Sequence, residues 1–339
     1  MSPPEYSLPA GSWVLVTGAN GFIASHIIDR ILDHGYKVRG TVRAEKPWLN
    51  EFYQSKYGPD SFETAIVPKL EEEGSLDTCM EGMSGVIHVA NNNSFNPDPN
   101  TVITEVVAMS LNVLKTASRV ESVKRVIITS SVVAAYSKAP GEPGDMIIDE
   151  TTWNDYSVKA AWDPETPDAE KPSIVYNASK VESERAAWKW VAENKPHFVF
   201  NSVLPNVNFG TMFFPEKQFS AMGLTRTLLQ GSTLAMQIMP SRQWYSNVQD
   251  TARVHVIALL DLNVQSERIF ACAAPYSWNE VIPILRTRYP DNSLIPDPHS
   301  EEGIPNMDIV PAKRSGELLR SFYGRSWMGL EESISMGFD

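Results

Sequence analysis

The chain has 339 residues, 42% of them hydrophobic and 21% charged, and its 41 acidic and 29 basic side chains leave a net charge of −12. That length allows one large domain or two ordinary ones, and the composition is globular rather than collagen-like or low-complexity. The acidic balance disfavours nucleic-acid binding, because a phosphate backbone is gripped by Lys and Arg. Two cysteines, Cys79 and Cys272, are too few for a disulfide framework or a Cys-based zinc site. The six histidines show no His-Glu-x-x-His spacing, and no Gly-x-Ser-x-Gly nucleophile elbow occurs. No metal is expected. No apolar run approaches the ~18 residues of a membrane span. The first eleven residues lack the basic and apolar regions of a secretory signal, and the last five carry no lipidation or retention signal, so a cytoplasmic protein is expected.

Two hydrophobic periods alternate through the first 130 residues. Trp13–Thr17 is a short β-branched run that ends in a Gly-rich turn. From Ile23 the apolar positions Ile23, Ile27, Ile28, Ile31 and Leu32 fall at helical spacing, until His34-Gly35 ends the element. Tyr36–Val42 reads as a second strand, Phe62–Val67 as a weaker third, Gly85–Ala90 as a fourth and Lys124–Thr129 as a fifth. Thr101–Val120 is a long helix between the last two. Strands alternating with helices imply right-handed crossovers and a parallel sheet covered on both faces. The expected fold is a doubly wound α/β domain.

Residues 137–172 hold Pro140, Gly141, Pro143, Gly144, Pro164, Pro167 and Pro172 among acids, and read as a long loop or insertion. A helix is expected from about Tyr176 to Asn194, then a strand over His197–Leu204. Helices over Ser220–Gln230 and Asp250–Leu262 and a C-terminal helical mix suggest a smaller cap. The expected division is 11–205 for dinucleotide binding and catalysis, and 206–339 for a mainly substrate-binding cap with some segments returning to the first unit.

Thr17-Gly-Ala-Asn-Gly-Phe-Ile-Ala24 lies between the first strand and the first helix. Gly18 permits the tight turn, Gly21 lets the backbone approach a pyrophosphate, and Ala24 is small enough for close helix–strand packing. The helix then aims its positive end and free N–H groups at the phosphates. At the end of the second strand an NAD site places an acid for the ribose 2′-hydroxyl, whereas an NADP site uses Arg for the 2′-phosphate. Here the strand end reads Lys37-Val-Arg-Gly-Thr-Val-Arg43, with no acid before Glu45. Arg43 offers a bidentate fork to a phosphate, so NADPH/NADP+ is the expected cofactor. Arg39 reads as structural.

Of the eleven tyrosines, Tyr176 alone has a lysine, Lys180, four places on. At helical spacing the two share a face, and a nearby cation favours the phenolate, lowering a tyrosine pKa from about 10. A proton-transfer group works best when tuned in this way. Thr129-Ser130-Ser131 closes the fifth strand at the carboxyl edge, where open α/β sheets bind ligands. His88, inside an apolar strand, reads as a satisfied core residue. Trp188 and Trp190 read as packing, and Glu71-Glu72-Glu73 as a solvated helix start.

The Thr17–Ala24 fingerprint, the Thr129–Ser131 strand end, Tyr176–Lys180 and Leu204-Pro-Asn-Val207 together resemble the extended short-chain dehydrogenase/reductases. More narrowly they resemble the dihydroflavonol-4-reductase-like branch and its NADPH-dependent carbonyl and aldehyde reductases. The resemblance spans most of 11–335. It implies a Rossmann fold and a Ser–Tyr–Lys mechanism for reducing a ketone or aldehyde, with Ser131 on the substrate carbonyl, Tyr176 as proton donor and Lys180 on the nicotinamide ribose. It also implies cofactor contacts from Gly18, Asn20, Gly21, Phe22, Ile23, Arg43, Leu70, Ala90, Tyr176, Lys180, Pro205 and Val207, and substrate contacts from Phe95, Ser131 and Asn206. Two departures stand out. Lys69 occupies the place where the family usually has an Asp for adenine, and 239–245 is one residue longer than the pattern it resembles. The partner implied is a small carbonyl compound, with neither nucleic acid nor membrane. An NAD-dependent sugar-nucleotide epimerase or dehydratase is the alternative enzyme, disfavoured by Arg43. A non-catalytic NADP-sensing regulator is disfavoured by the joint presence of serine, tyrosine and lysine.

Overall fold

The computed structural model describes residues 5–137, 146–239, 243–298 and 306–339. The first half alternates β1 (Trp13–Thr17), α1 (Phe22–Asp33), β2 (Lys37–Val42), α2 (Pro47–Tyr57), β3 (Phe62–Ile66), a single turn α3 (Asp77–Met80), β4 (Met83–His88), α4 (Pro99–Ser118) and β5 (Arg125–Thr129). Next come β6 (Met146–Ile148), α5 (Asp155–Trp162), α6 (Lys171–Asn194), β7 (Val199–Pro205) and β8 (Val207–Phe209). The remainder is α7 (Ala221–Arg226), α8 (Leu234–Ile238), β9 (Gln243–Asn247), α9 (Val248–Leu260), β10 (Arg268–Ala271), β11 (Ala274–Tyr276), α10 (Trp278–Arg288), β12 (Met307–Ile309), α11 (Ala312–Tyr323) and α12 (Leu330–Met336).

Seven strands form one parallel sheet in the order β10-β7-β5-β4-β1-β2-β3. The chain winds outward from β1 to β3, returns to place β4 beside β1, and winds the other way. The order therefore reverses between β1 and β4, and the crevice at their carboxyl ends is where such sheets receive ligands. The apolar runs that mark the strands are buried: Val14, Leu15, Val16, Val86, Ile87, Val126 and Ile127 are all inaccessible to solvent. One core cluster joins Val14, Val16, Ile27, Ile28 and Ile31 to Val254, Ile257 and Leu260 of α9. A separate cluster unites Phe22 and Val207 with Phe209, Met222, Tyr245, Tyr276 and Trp278. It lies under a three-stranded sheet ordered β11-β9-β8.

Several expectations need correction. A helix, α2, connects β2 to β3 where none was expected, and the sheet has a seventh strand, β10. The stretch 137–172 is no plain loop, since it contains β6 and α5, and β6 pairs in parallel with β12, Met146 opposite Met307. Pro140, Gly141, Pro143 and Gly144 lie outside the described residues. Glu71–Glu73 form turns rather than a helix start, the next helix opening only at Asp77. The helix expected over Ser220–Gln230 is present, but only Ala221–Arg226 is α-helical and Thr227–Gln230 tightens into a 3-10 turn. Among the described residues, no helix is long and apolar enough to cross a membrane.

Candidate functional site

The Gly-rich turn is set by backbone geometry. Gly18 has φ +68°, and a Cβ added there would meet the Ala90 Cα at 3.0 Å. Glycine is therefore required twice over, for the left-handed turn and for the close approach of β1 to the chain beyond β4. Thr17 sews the same two ends together. Its Oγ1 accepts from the Val89 and Ala90 N–H groups, each at 3.0 Å, and is hydrogen-bonded to His88 Nδ1 at 2.8 Å. With both acceptor positions taken, the threonine proton is directed at His88. Burial, with the Lys180 charge adding to it, lowers His88 to about 3. As expected, His88 is a neutral core residue.

Gly21 caps α1 with extended backbone, no side chain caps the helix, and its first turn contains no acid. An anion is the natural partner of such a helix start. Arg43 stands at the end of β2, exposed, and no ion pair engages it among the described residues. Arg39, by contrast, is tied to Glu63 at 2.6 Å and to the Cys79 carbonyl at 3.0 Å. The chain thus leaves one uncompensated guanidinium beyond β2 and a bare helix N-terminus beyond β1. These features fit the 2′-phosphate and pyrophosphate of an NADP-type dinucleotide. Leu70 is buried, and its carbonyl accepts from Asn112 Nδ2 at 2.8 Å. Lys69, in the unusual position, turns away to Glu72 at 2.6 Å.

The second half of the crevice gathers the other candidates. Lys180 is buried on α6 and donates from Nζ to the Thr129 carbonyl at 3.0 Å, two residues before Ser131. Ser131 starts a 3-10 turn; its Oγ accepts from Val133 N–H at 3.3 Å and donates to the Pro205 carbonyl at 3.4 Å. Both contacts are long for hydrogen bonds involving a hydroxyl, so this half-buried group is weakly committed. Ser130 is the reverse case, buried and donating to Glu184 Oε2 at 2.7 Å. Phe95, at φ +52°, lays its ring on Tyr176 with centroids 5.3 Å apart and planes 30° from parallel. A bulky residue in the left-handed region is strained, and such strain is concentrated where the surrounding structure over-determines a position. Asn206, beside the buried Pro205 and Val207, is half-buried, and its carbonyl accepts from Asn208 Nδ2 at 3.0 Å.

The tyrosine departs from expectation in one respect. Burial pushes the Tyr176 phenol up to about 12, and Lys180 does not pull it down. The reason is that a desolvated phenolate is costly, while the lysine ammonium is turned to the Thr129 carbonyl. Burial in turn lowers Lys180 to about 8, opposed by the Glu184 charge. A cavity of about 10 Å³, near the size of one water, lies among Lys180, Glu184, Ser130, His88, Ser110 and Ser183. A larger groove of about 510 Å³, lined by Glu150, Trp188, Ser266, Glu267, Arg268, Pro311 and Arg314, contains none of the candidate site residues.

Two polar residues escaped the sequence reading. Glu184 sits one turn beyond Lys180 on a helix face otherwise made of small and apolar residues, a signal that was available. Gln218 was not discernible: from a loop nearly two hundred positions away, its Nε2 donates to the carbonyls of Asn20 at 3.2 Å and Gly21 at 3.1 Å. It closes over the Gly-rich turn with its Oε1 buried and unpaired.

Among the described residues, no group of three or more His, Cys, Asp or Glu is arranged to hold a metal. The chain is 40% identical over 338 residues to a ketoreductase of Aspergillus novofumigatus, covering 99% of this chain and 98% of the relative. It is 39% identical over 332 residues to aldehyde reductase 2 of Sporidiobolus salmonicolor, covering 96% and 95% respectively. Among solved structures, the yeast methylglyoxal/isovaleraldehyde reductase complexed with NADPH superposes with a TM-score of 0.78 at 24% identity, over 96% of this chain and 97% of that one. That likeness shows a shared fold. Residues 14–273 match the model of the NAD dependent epimerase/dehydratase family. With a sheet that reverses order at a Gly-rich turn and a match over most of its length, the chain belongs to the NAD dependent epimerase/dehydratase family, the extended short-chain dehydrogenase/reductases.

Proposed function

We propose that this protein is an NADPH-dependent reductase that converts a small ketone or aldehyde to its alcohol. The observation that carries the reading is that Lys180 Nζ reaches the Thr129 carbonyl at the end of β5 while the weakly committed Ser131 Oγ lies against the Pro205 carbonyl at the end of β7, with Tyr176 one helical turn before Lys180 and under the Phe95 ring. When bound, the reduced nicotinamide supplies the hydride, which adds to the carbonyl carbon. Ser131 Oγ has only long contacts to give up and would turn to donate to the carbonyl oxygen. Tyr176 would give that oxygen its proton as negative charge develops on it. A phenol held at about 12 is fully protonated at neutral pH, the form a donor requires. Lys180 would hold the ribose and stabilise the phenolate left behind. Asn20, Gly21, Phe22 and Ile23 would line the pyrophosphate, Arg43 the 2′-phosphate, and Ala90, Pro205 and Val207 the nicotinamide side. Phe95 and Asn206 would border the substrate.

The named relatives support carbonyl reduction over epimerisation, because the ketoreductase and the aldehyde reductase match at 40% and 39% identity, against 33% for two Aspergillus relatives described as NAD-dependent epimerase/dehydratases. The unpaired Arg43 supports NADPH over NADH. The test follows absorbance at the reduced-nicotinamide band with NADPH or NADH against β-keto esters, aryl ketones and aldehydes. Oxidation of NADPH with formation of the alcohol is expected. Turnover of a nucleotide sugar with no carbonyl reduction would refute the proposal.

A further inference from the structure

Beneath the candidate site lies a buried ionic cluster that the proposed reaction leaves unexplained. Glu184 is fully buried and receives five donors. Oε1 accepts from Ser202 Oγ at 2.7 Å, Arg268 Nε at 2.9 Å and Trp188 Nε1 at 3.3 Å. Oε2 accepts from Ser130 Oγ at 2.7 Å and Arg268 Nη2 at 3.3 Å. The carboxylate thus ties α6 to the residue after β5, the middle of β7 and the first residue of β10. Buried ion pairs of this kind are weak evidence for a stability role, because desolvation offsets most of their attraction. Placement suggests another purpose. Glu184 follows Lys180 by one helical turn, and one of its donors is the residue next to Ser131.

We propose that Glu184 is a positioning residue of the site: its buried carboxylate holds the Ser130–Ser131 strand end in place and sets a negative charge across a small cavity from Lys180. The proposal deepens the reading of Lys180 given above and rests on it. Among the described residues, the surroundings of Lys180 give no other source of negative charge. From β4 it faces His88 and from α4 Ser110, while the β5 end presents Thr129 and Ser130. His255 of α9 is hydrogen-bonded to Thr129 Oγ1 at 2.9 Å, and both histidines are kept neutral by burial. Tyr176, on the same helix, is an uncharged phenol. Arg268, from β10, is the only other charge in the cluster and is spent on Glu184. Burial alone would drive the Lys180 ammonium toward the neutral amine, and Glu184 is the one charge that opposes it.

The test compares E184Q with the double variant E184Q/R268M, which deletes the ion pair as a unit. E184Q leaves a buried guanidinium unpaired and is expected to melt at a lower temperature; the double variant is expected to regain most of that loss. In both, the Lys180 Cε resonance of isotope-labelled protein, assigned by its absence in K180M, should titrate about one pH unit lower than in the wild type. That is a tenfold loss of ammonium above the midpoint. The alkaline limb of carbonyl reduction should move down by the same amount. A double variant with restored melting temperature and a wild-type Lys180 midpoint would overturn the proposal and leave Glu184 as a mere partner of Arg268. The titration needs neither cofactor nor substrate. If the midpoint falls while the alkaline limb stays, the role of Glu184 stands and the role of Lys180 in turnover fails.

Discussion

Three buried histidines make the fold acid-sensitive, by an amount that follows from their surroundings. Burial lowers His26 to about 4, His88 to about 3 and His255 to about 4, each from 6.5. An unfolded chain releases each imidazole to its ordinary value, so between pH 7 and 5 the unfolded state takes up protons that the folded state refuses. Stability is therefore fully present above about 6.5 and is lost as pH falls toward 4. Linkage puts the loss between pH 7 and 5 at about 2 kcal/mol per histidine, or roughly 5–6 kcal/mol for the three. Carboxylates with ordinary unfolded values near 4 contribute little in this interval. A loss of that size is comparable to the whole stability of a marginal domain. Urea unfolding at pH 7, 6 and 5 measures it, with a slope approaching three protons at the acid end. His255→Gln should reduce the slope by about one proton, because its two hydrogen bonds, to Thr129 Oγ1 and the Thr251 carbonyl, pass through a neutral ring. A stability that stays level from pH 7 to 5 would show that these rings carry charge in the native state, and would refute the argument.

Tyr176→Phe should leave NADPH binding nearly intact, read by fluorescence titration, while turnover falls by about the 10²–10⁴-fold typical of a lost acid–base group. Ser131→Ala should slow turnover severely, since a hydrogen bond to developing oxyanion charge is worth roughly 3–4 kcal/mol. Ser130→Ala should lower the melting temperature and slow turnover less than Ser131→Ala, because its hydroxyl is committed to buried Glu184 and acts on the site only through the strand end; kinetics and calorimetry on the pair separate the two. Arg43→Glu should cost NADPH about 1.5–3 kcal/mol, roughly ten- to a hundredfold in affinity, and change NADH little. The comparison of kcat/KM for both cofactors on both proteins checks it, and equal use of the two by the wild type would remove Arg43 from the site.

The sheet was legible in the sequence where strands are runs of buried β-branched residues: β1 lies where Trp13–Thr17 was read, and β5 within a residue of it. What escaped was whatever lacks such a run. Helix α2 buries only Leu49 and Tyr53, too few positions to reveal a helical period. Strand β6 has three residues, and its partner β12 lies some 160 positions away, so nothing local announces the pairing. Strand β10, only four residues long, sits in a stretch whose pattern was irregular. The candidate site residues stand out as motifs because turn, strand end and helix spacing are local. Their electrostatics do not, because a tyrosine's pKa depends on what buries it. The lysine spacing pointed downward, and the fold turns the value upward. Gln218 reaches the Gly-rich turn by tertiary folding alone.

The return of α9 and β10 to the large sheet carries a consequence for engineering. Residues 248–260 cover α1, and residues 268–271 pair with β7, whereas β8, β9 and β11, from the flanking stretches 207–209, 243–247 and 274–276, belong to the smaller sheet. A chimera joined once, near residue 205, would give the large sheet a covering helix and an edge strand from the other parent. Ile27, Ile28 and Ile31 of α1 would then pack against a helix not selected for them. To exchange the smaller-sheet part between relatives, the graft must keep with the host both 248–271 and α11, whose Leu318 and Leu319 join the same core cluster, and accept junctions before β8, between β9 and α9, after β10 and on either side of α11. The junction between β9 and α9 falls between Asn247 and Val248, where strand passes to helix without a spacer. It is the most exacting, because Asn247 also caps α9 by accepting from Gln249 N–H at 2.9 Å.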